Sequence, residues 1–346
     1  MSETAIHVEG LAKDYTRRVR EPGLWGAVKG VFFSRAQVIP AVKNLGFHID
    51  RGEQVGLIGE NGAGKSTTVK MLCGILVPSA GDVRVLGHQP WRERRQLAAR
   101  IGVVFGQKPQ LLWDIPVRET FSLLKEMYGI PDAVYQKTYP KIVDLLDLEP
   151  LLASPVRQLS LGQRMRCDLG AAVLHAPDIA FLDEPTIGLD VVAKQQAREL
   201  IKWLAREFGS TLILTTHDLK DITETCHRVI LLDKGGLLFD GSIKAFESRF
   251  ARERRVVAEL ERPLSPAATA KLKAKLRALK LRIAEWSGQR IALASNHSAS
   301  LNKAAAALLA SGAVAELDFE RTEVEEIVRR IYTRQKPPAT AGGHGR

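Results

Sequence analysis

The sequence predicts an α/β fold followed by a smaller α+β unit, and three observations support this prediction. An apolar run at 55–58 suits a buried strand, and a glycine-rich turn and a helically spaced segment follow it directly. Two further apolar strands are expected at 179–182 and 211–216, with helical patterns before the first of them. At 346 residues the chain is too long for one core of typical size, so two or three units are expected.

The composition is typical of a soluble intracellular protein. Hydrophobic residues make up 45% and charged residues 26%, and no run of about 18 uninterrupted apolar residues could span a bilayer. The N-terminus has neither the basic nor the apolar region of a secretory signal. We therefore expect a cytoplasmic protein. Its three cysteines, Cys73, Cys167 and Cys226, are scattered, which favours buried thiols over a disulfide or metal framework.

The net charge of +11 lies mostly in the C-terminal part. Residues 241–346 hold 20 of the 50 Lys and Arg residues but only 11 of the 39 Asp and Glu residues. Such basicity fits nucleic acid, an anionic membrane surface or solvated helix faces. Because aromatic residues are not interleaved among these charges, we do not expect nucleic acid to be a partner.

The glycine-rich turn matches G-x-x-x-x-G-K-[ST] with a strand before it and a helix after it. Its glycines let successive backbone N–H groups converge on phosphates, and the positive end of the helix adds a favourable field. Lys65 supplies a mobile charge, and Ser66 supplies a hydroxyl of the kind that Mg²⁺ prefers. We predict a nucleoside triphosphate site at this phosphate loop, formed by Gly59, Glu60, Asn61, Gly62, Ala63, Gly64, Lys65, Ser66 and Thr67.

The residues before the loop predict strands interrupted by an insertion. Strands are expected at 6–15, 38–49 and 53–58, and the insertion covers 17–40. Five apolar residues of the insertion fall on one face of a short helix with Arg and Lys around it. They are Leu24, Trp25, Val28, Val31 and Phe32. Such a helix suits a membrane interface and suits packing on its own domain equally well.

The residues after the loop predict a short strand and then a helical subdomain. The strand is expected between Gly81 and Gly87, and the subdomain covers about 91–165. Its helices are separated by prolines, which end helices. They are expected at 92–100, 117–128 and 135–146.

Two adjacent carboxylates, Asp183 and Glu184, follow the apolar strand at 179–182. Carboxylates at the end of a buried strand are costly unless they serve a function. Beside a phosphate loop, the first can hold Mg²⁺ through water and the second can polarise an attacking water. His217 directly follows the next strand, where a contact to a γ-phosphate would arise. Such a histidine is often structural, but its neighbours here favour a functional role.

Further motifs accompany the phosphate loop and the carboxylates. They are Gln107 after Val103–Gly106, the stretch Leu159–Arg164 that opens a helix, Gly188–Asp190, and His217. In this order and spacing, residues 6–242 resemble the ATP-binding cassette (ABC) family. The resemblance implies a P-loop NTPase cassette, with a RecA-like core, an antiparallel β flank and a helical subdomain.

The resemblance also implies the ligands, ATP and Mg²⁺, and a role for each site residue. Tyr15 would stack on adenine, and residues 59–67 would cradle the phosphates. Glu184 would be the general base, and His217 would sense the γ-phosphate. The residues serving Mg²⁺ would be Ser66, Gln107 and Asp183.

A second subunit is implied as well. In this family Ser160, Gly162 and Gln163 complete the partner's site in a head-to-tail dimer, with Asp190 bridging the two sites. One cassette per chain therefore implies a dimer, most simply a homodimer, with two ATP molecules between the subunits. Leu161 departs from the glycine usual in the family, so we expect slower or retuned hydrolysis rather than its loss.

The cassette is expected to cover 1–245, followed by an accessory domain at 250–335 and a disordered tail at 336–346. The accessory domain is similar to that of exporter-type cassettes in the drug-resistance branch. Residues 105–116 resemble a subgroup associated with viologen- and daunorubicin-type export. The accessory domain is predicted to contain strands at 255–260 and 314–319, a hairpin at 281–294, and helices at 271–281, 301–309 and 324–332.

The resemblance thus implies the ATPase subunit of an exporter, peripheral on the inner face of the cell membrane. Its partners would be a second ATPase subunit, a separately encoded permease and the cytoplasmic membrane surface. ATP would close the dimer, closure would move the permease, and hydrolysis would reopen it.

The alternative is the ATPase of a polysaccharide or teichoic-acid-type exporter, because those proteins also carry an insertion after the adenine-stacking aromatic. Their carbohydrate-binding sandwich predicts many short strands at regular spacing, whereas residues 241–346 are mostly helical. ABC proteins of translation or DNA repair need tandem cassettes or long heptads, which the sequence lacks. A GTPase would need an Asn-Lys-x-Asp element, which is also missing.

Overall fold

The computed structural model describes most of the chain. The described residues are 3–19, 35–106, 109–216, 218–250, 254–279, 281–295 and 297–321. The chain divides into two compact units, Met1–Ile243 and Lys244–Arg346.

A six-stranded sheet forms the centre of the first unit. Its strands are β3 (Gln54–Gly59), β5 (Ile101–Phe105), β6 (Ile179–Asp183), β7 (Thr211–Thr215), β8 (Arg228–Asp233) and β9 (Gly236–Ser242). They lie in the order β5-β6-β7-β3-β8-β9, and all pair in parallel except β9, which is antiparallel to β8. The apolar runs of β6 and β7 are buried throughout, as expected for parallel strands covered on both faces. The predicted α/β fold is confirmed.

A three-stranded antiparallel sheet flanks this core. It consists of β1 (Thr4–Val19), β2 (Arg35–Asp50) and β4 (Ala80–Val85), in the order β2-β1-β4. The β1–β2 pairing continues from Thr4 opposite Asp50 to Val19 opposite Arg35. The two ends of the predicted insertion, 17–19 and 35–40, are therefore strand, because the ladder continues beyond Tyr15. The predicted amphipathic helix, from Leu24 to Phe32, lies outside the described residues.

Helices surround the central sheet. They are α1 (Lys65–Leu72), α2 (Arg94–Ala98), α3 (Val117–Tyr128), α4 (Asp132–Leu145), α5 (Leu161–Val173), α6 (Val191–Phe208) and α7 (Leu219–Thr225). The helical subdomain expected over about 91–165 is interrupted by β5, an edge strand of the central sheet. Helix α5 lies close to β5, since a Cβ at Gly102 would lie 2.2 Å from the carbonyl oxygen of Ala172.

The second unit begins with helix α8 (Ile243–Phe250), whose first residue is the last of the first unit, and then has a β-α-β-β-α-β order. Its elements are β10 (Arg254–Leu260), α9 (Pro266–Ala278), β11 (Arg282–Ser287), β12 (Arg290–Ser295), α10 (Ser298–Leu309) and β13 (Val314–Arg321). The antiparallel sheet has the order β11-β12-β10-β13. Helix α9 begins five residues before the predicted start, because Ser265 caps it by accepting from the N–H of Ala268 and Pro266 follows at the first position. The predicted helix at 324–332 and the tail at 336–346 lie outside the described residues.

Each unit has its own hydrophobic core. In the first, buried residues of β1, β2 and β4 pack with Val69, Leu72 and Phe181 of the central layer. In the second, Val256, Leu293 and Leu308 belong to one buried cluster. All three cysteines are free thiols; Cys167 and Cys226 are buried, as predicted, whereas Cys73 is half-buried. Burial raises the pKa of Cys167 and of Cys226 to about 12. Across the described ranges, no helix has both the length and the apolarity needed to cross a membrane.

Candidate active site

The phosphate loop links the end of β3 to the start of α1. Its conformation depends on glycine at two positions, since Gly62 and Gly64 have φ angles of +85° and +101°. A Cβ at Gly64 would also lie 2.7 Å from the carbonyl oxygen of Ala41 in β2, whereas a Cβ at Gly62 would meet no atom within 4 Å. The loop therefore packs on the antiparallel flank at Gly64 and is open at Gly62.

Lys65 is the first residue of α1, and its side chain folds back over the loop. Its Nζ donates hydrogen bonds to the carbonyl oxygens of Gly59, at 2.7 Å, and Glu60, at 3.2 Å. Burial lowers the pKa of Lys65, and the nearby carboxylates of Glu184 and Asp183 oppose that shift. The ammonium is thus held where loop carbonyls and strand-end carboxylates converge.

Ser66 and Asp183 meet at the carboxyl edge of the central sheet. The Ser66 hydroxyl donates to Oδ1 of Asp183 at 3.2 Å, and the hydroxyl of Thr215 donates to the same oxygen. Asp183 is buried, with 8% of its surface exposed. Two donors from two other elements therefore fix this carboxylate. The role of Thr215 was missed from the sequence, although its place at the end of the strand beside β6 was predicted.

Ser66 and Asp183 offer hard oxygen atoms of the kind that Mg²⁺ prefers. Among the described residues, no group of three His, Cys, Asp or Glu side chains could hold a metal ion. A Mg²⁺ ion at this pair would therefore need phosphate and water oxygens for the rest of its shell, which is how Mg²⁺ is commonly bound beside phosphates. The residues present fit the ion as a companion of a bound nucleotide.

Glu184 continues the chain from Asp183 with a left-handed backbone, at a φ angle of +55°. Its N–H donates to the carbonyl oxygen of Thr215 at 2.9 Å, which fixes the turn to the neighbouring strand. Non-glycine residues in such conformations are concentrated at functional sites. Together with Ser66 and Asp183, Glu184 lines a pocket of about 390 Å³. The remaining lining residues are Lys70, Ile75, Phe105 and Gly106.

Two predicted site residues lie outside the described residues, Gln107 and His217. Their chain neighbours are described. Gly106 lines the pocket, and its N–H donates to the carbonyl oxygen of Asp183 at 2.9 Å. Thr216 is buried directly after β7. In the sequence, Gln107 and His217 each come two positions after the end of a neighbour of β6, namely β5 and β7.

Ser160 and Gln163 form a capping box at the start of α5. The N–H of Gln163 donates to the Ser160 hydroxyl at 3.2 Å, and the N–H of Ser160 donates to the Gln163 side chain at 2.9 Å. These residues and Gly162 do not line the described pocket beside the phosphate loop. The structure thus places them at a helix terminus, with Ser160 exposed.

Leu161 and Gly162 approach the segment before Asp190. A Cβ at Gly188 would lie 2.8 Å from Cδ2 of Leu161, and a Cβ at Gly162 would lie 3.0 Å from the carbonyl oxygen of Gly188. Asp190 caps α6 by accepting from the N–H of Ala193 at 2.8 Å. The Leu161–Gly188 contact was not predicted, because it joins stretches that are distant in the sequence.

Tyr15 lies on β1, opposite Ile39 of β2, and is 40% exposed. The ammonium of Lys13 lies 5.7 Å from the centre of its ring, and the same ammonium donates to the carbonyl oxygen of Val77. The ring is therefore accessible on the antiparallel flank. Tyr15 does not line the described pocket.

Asp168 of α5 is a buried carboxylate that the sequence analysis missed. Burial raises its pKa to about 6, although hydrogen bonds from the N–H groups of Gln110 and Leu111 and the charge of Arg164 oppose the shift. The guanidinium of Arg164 also lies 4.9 Å from the centre of the Trp113 ring. Helix α5 thus holds the stretch that follows Gln107.

The phosphate loop with its Lys, together with the strand-end carboxylates of β6, defines a P-loop nucleoside triphosphatase. Residues 42–187 match the family model described as ABC transporter. The chain is 36% identical over 204 residues to the Nod factor export ATP-binding protein I of Paraburkholderia xenovorans, covering 59% of this chain and 66% of that protein. It is 30% identical over 223 residues to the ABC transporter ATP-binding protein NatA of Bacillus subtilis, covering 64% of this chain and 89% of that protein.

Solved structures agree with these relatives. An ATP-binding subunit of an ABC transporter superposes with a TM-score of 0.60 at 25% identity, covering 71% of this chain and 93% of that chain. A dimeric ATP-binding cassette in a post-hydrolysis state with ADP and Pi superposes with a TM-score of 0.57, again at 25% identity, covering 69% and 98%. The chain belongs to the ATP-binding proteins of the ABC transporter family. The predicted family, cassette fold and ATPase class are confirmed.

Proposed function

We propose that the chain is the ATP-hydrolysing subunit of an ABC exporter and works as a head-to-tail dimer on a separate membrane permease. The observation that carries the ATPase chemistry is the convergence of Lys65, Ser66, Asp183 and Glu184 at one edge of the central sheet. The export direction is supported by the name of one relative described above, the Nod factor export ATP-binding protein I.

Each residue of the site has a chemical task in this proposal. The backbone of 59–67 and the ammonium of Lys65 bind the phosphates of ATP. Ser66 and Asp183, with Gln107, would hold Mg²⁺, which neutralises phosphate charge when bound. Glu184 accepts the proton of the attacking water.

The roles of His217 and Tyr15 depend on the family resemblance. His217 contacts the γ-phosphate, and Tyr15 stacks on adenine. Its 40% exposure leaves the ring accessible to a base.

Dimerisation accounts for the position of the residues predicted to complete the partner's site, Ser160, Gly162 and Gln163. Ser160 and Gln163 are fixed by the capping box but lie outside the lining of the phosphate-loop pocket. A second copy would receive them at its own phosphate site. Val191 and Val192 follow the bridging Asp190 and are 84% and 68% exposed. Such adjacent exposed apolar side chains are typical of a surface that binds another protein.

The exporter branch is favoured over a polysaccharide or teichoic-acid-type exporter by the second unit. A carbohydrate-binding sandwich consists of two packed sheets. The described part of Lys244–Arg346 instead forms one four-stranded antiparallel sheet with helices α9 and α10. As an exporter subunit, the chain would lie on the inner face of the cell membrane through its permease.

The test is the Glu184→Gln variant, because the amide keeps the size of the side chain and removes the base. Wild-type protein should release phosphate from MgATP, while the variant should bind ATP, form an ATP-dependent dimer by light scattering, and turn over at least 100-fold more slowly. Glu199→Gln, a change at a half-buried side chain of α6 that pairs with Lys202, is the matched control. A wild-type chain without ATPase activity, or a Glu184→Gln chain with normal turnover, would contradict the proposal.

A further inference from the structure

A buried carboxylate next to the site, Asp221 of α7, has no task in the proposal above. Only 1% of its surface is exposed. Its Oδ1 pairs with the guanidinium of Arg198 at 2.7 Å, and its Oδ2 accepts from the hydroxyls of Thr186 at 2.6 Å and Thr216 at 3.2 Å. The other three residues are buried too, with at most 4% exposed. A buried ion pair is costly unless such hydrogen bonds satisfy it.

The partners of Asp221 come from the stretches that carry the proposed catalytic groups. Thr186 lies two residues after Glu184 and four before Asp190. Thr216 directly precedes residue 217, and its hydroxyl accepts from the N–H of Asp218 at 3.0 Å. Arg198 lies on α6, the helix that Asp190 caps. One carboxylate therefore connects the chain on both sides of residue 217 with the segment between Glu184 and Asp190.

The backbone of the 184–190 segment is held mainly by its own turns. The N–H of Ile187 donates to the carbonyl oxygen of Glu184, and the N–H of Leu189 donates to that of Thr186, both at 3.2 Å. Such local bonds fix the shape of the segment but not its position against the neighbouring strand. The side-chain bond from Thr186 to Asp221 provides a link across elements, in addition to the bond between Glu184 and Thr215.

We propose that Asp221 is a positioning residue for ATP hydrolysis. Through Thr186 and Thr216 it sets the position of the Glu184 turn relative to the end of β7. In the proposed function, Glu184 and the histidine that follows Thr216 act on the same phosphate and its attacking water. The inference depends on the proposed ATPase function.

The test compares two threonine-to-valine changes that each remove one buried hydroxyl bonded to Asp221. Thr186→Val removes a donor to the carboxylate. Thr225→Val is the matched control, because the Thr225 hydroxyl donates to the backbone carbonyl of Asp221 at 2.6 Å from the same helix. Thr225 is 5% exposed, so the two changes are similar in volume and burial.

We expect both variants to lower the Tm by similar amounts. Thr186→Val should lower kcat at least tenfold while the Kd for a fluorescent ATP analogue stays within threefold of wild type. Thr225→Val should keep kcat within twofold, and Thr186→Ser, which restores the hydroxyl, should regain most of the kcat. Loss of kcat by Thr186→Val no greater than that of Thr225→Val would overturn the inference, and so would a parallel loss of ATP affinity.

A double-mutant cycle provides the second measurement. If Thr186 and Thr216 act through the same carboxylate, the combined valine variant should lose less kcat than the product of the two single losses. Losses that multiply would overturn the inference. If Thr186→Val does not fold, Asp221→Asn replaces it, with the same expected split between kcat and Kd. A wild-type chain no more active than Glu184→Gln would instead refute the proposed ATPase function.

Discussion

The two left-handed glycines of the phosphate loop offer a test of its packing, because the structure gives them different surroundings. Alanine at either position adopts an unfavourable backbone, which costs about 1–2 kcal/mol for a non-glycine residue in left-handed conformation. At Gly62 that is the whole cost, since no atom lies within 4 Å of the added Cβ. At Gly64 the Cβ would also lie 2.7 Å from the carbonyl oxygen of Ala41. Overpacking against backbone adds about 1–3 kcal/mol.

We therefore expect Gly64→Ala to destabilise the cassette by about 2–5 kcal/mol and Gly62→Ala by about 1–2 kcal/mol. Urea unfolding measures the stability of each variant, and the shift of its midpoint when ATP is added measures ATP binding. Gly64→Ala should also weaken ATP binding strongly, because Gly64 precedes Lys65 and accepts from the N–H of Thr68 at 2.8 Å. Equal losses for the two variants would refute the reasoning, since then contact with β2 would contribute nothing.

Three further predictions concern single side chains. Lys65→Ala should abolish tight ATP binding in a filter or fluorescence assay, and retention of normal affinity would remove the phosphate-loop assignment. Leu161→Gly should lose the contact over Gly188 and add at most the cost of glycine in a helix interior, about 1 kcal/mol, because residue 161 is the first of α5. ATPase assays should show faster turnover. His175, stacked on Tyr128, has a pKa lowered by burial to about 4, so the fold binds fewer protons than the unfolded chain. The free energy of unfolding should fall by up to about 3 kcal/mol as the pH falls from 6.5 to 4. His175→Phe should remove this part of the pH dependence, which urea unfolding at several pH values measures.

The sequence predicted those parts of the site that are contiguous in the chain. The phosphate loop, the Asp183–Glu184 pair and the capping residues Ser160 and Gln163 each have a local pattern with a local physical cause. Thr215 and Asp221 have no such pattern. Their tasks arise only because β7 lies beside β6, and because α7 packs where the segment after β6 turns.

The fold shows the same division. The long apolar runs predicted three of the six central strands, β3, β6 and β7, to within a residue or two. Strands β8 and β9 were not predicted. Strand β5 was missed because its five residues, Ile101–Phe105, lie among helical patterns, and its pairing with β6 decides its structure. The outer ends of β1 and β2 were taken for an insertion because their charged residues suggest no strand. The long antiparallel ladder between them overrides that local preference.

The 184–190 segment connects the two halves of the proposed composite site within one chain. Directly before it, Asp183 is bonded to Ser66 beside the phosphate loop. Near its end, Gly188 lies against Leu161, the first residue of the helix that Ser160 caps. A glycine at 161 would leave this second contact empty, whereas leucine fills it. If the segment moved on hydrolysis, the contact between Gly188 and Leu161 would therefore move Ser160, which in the proposed dimer binds the partner's ATP. Leu161, which replaces the glycine usual in the family, lies at this contact.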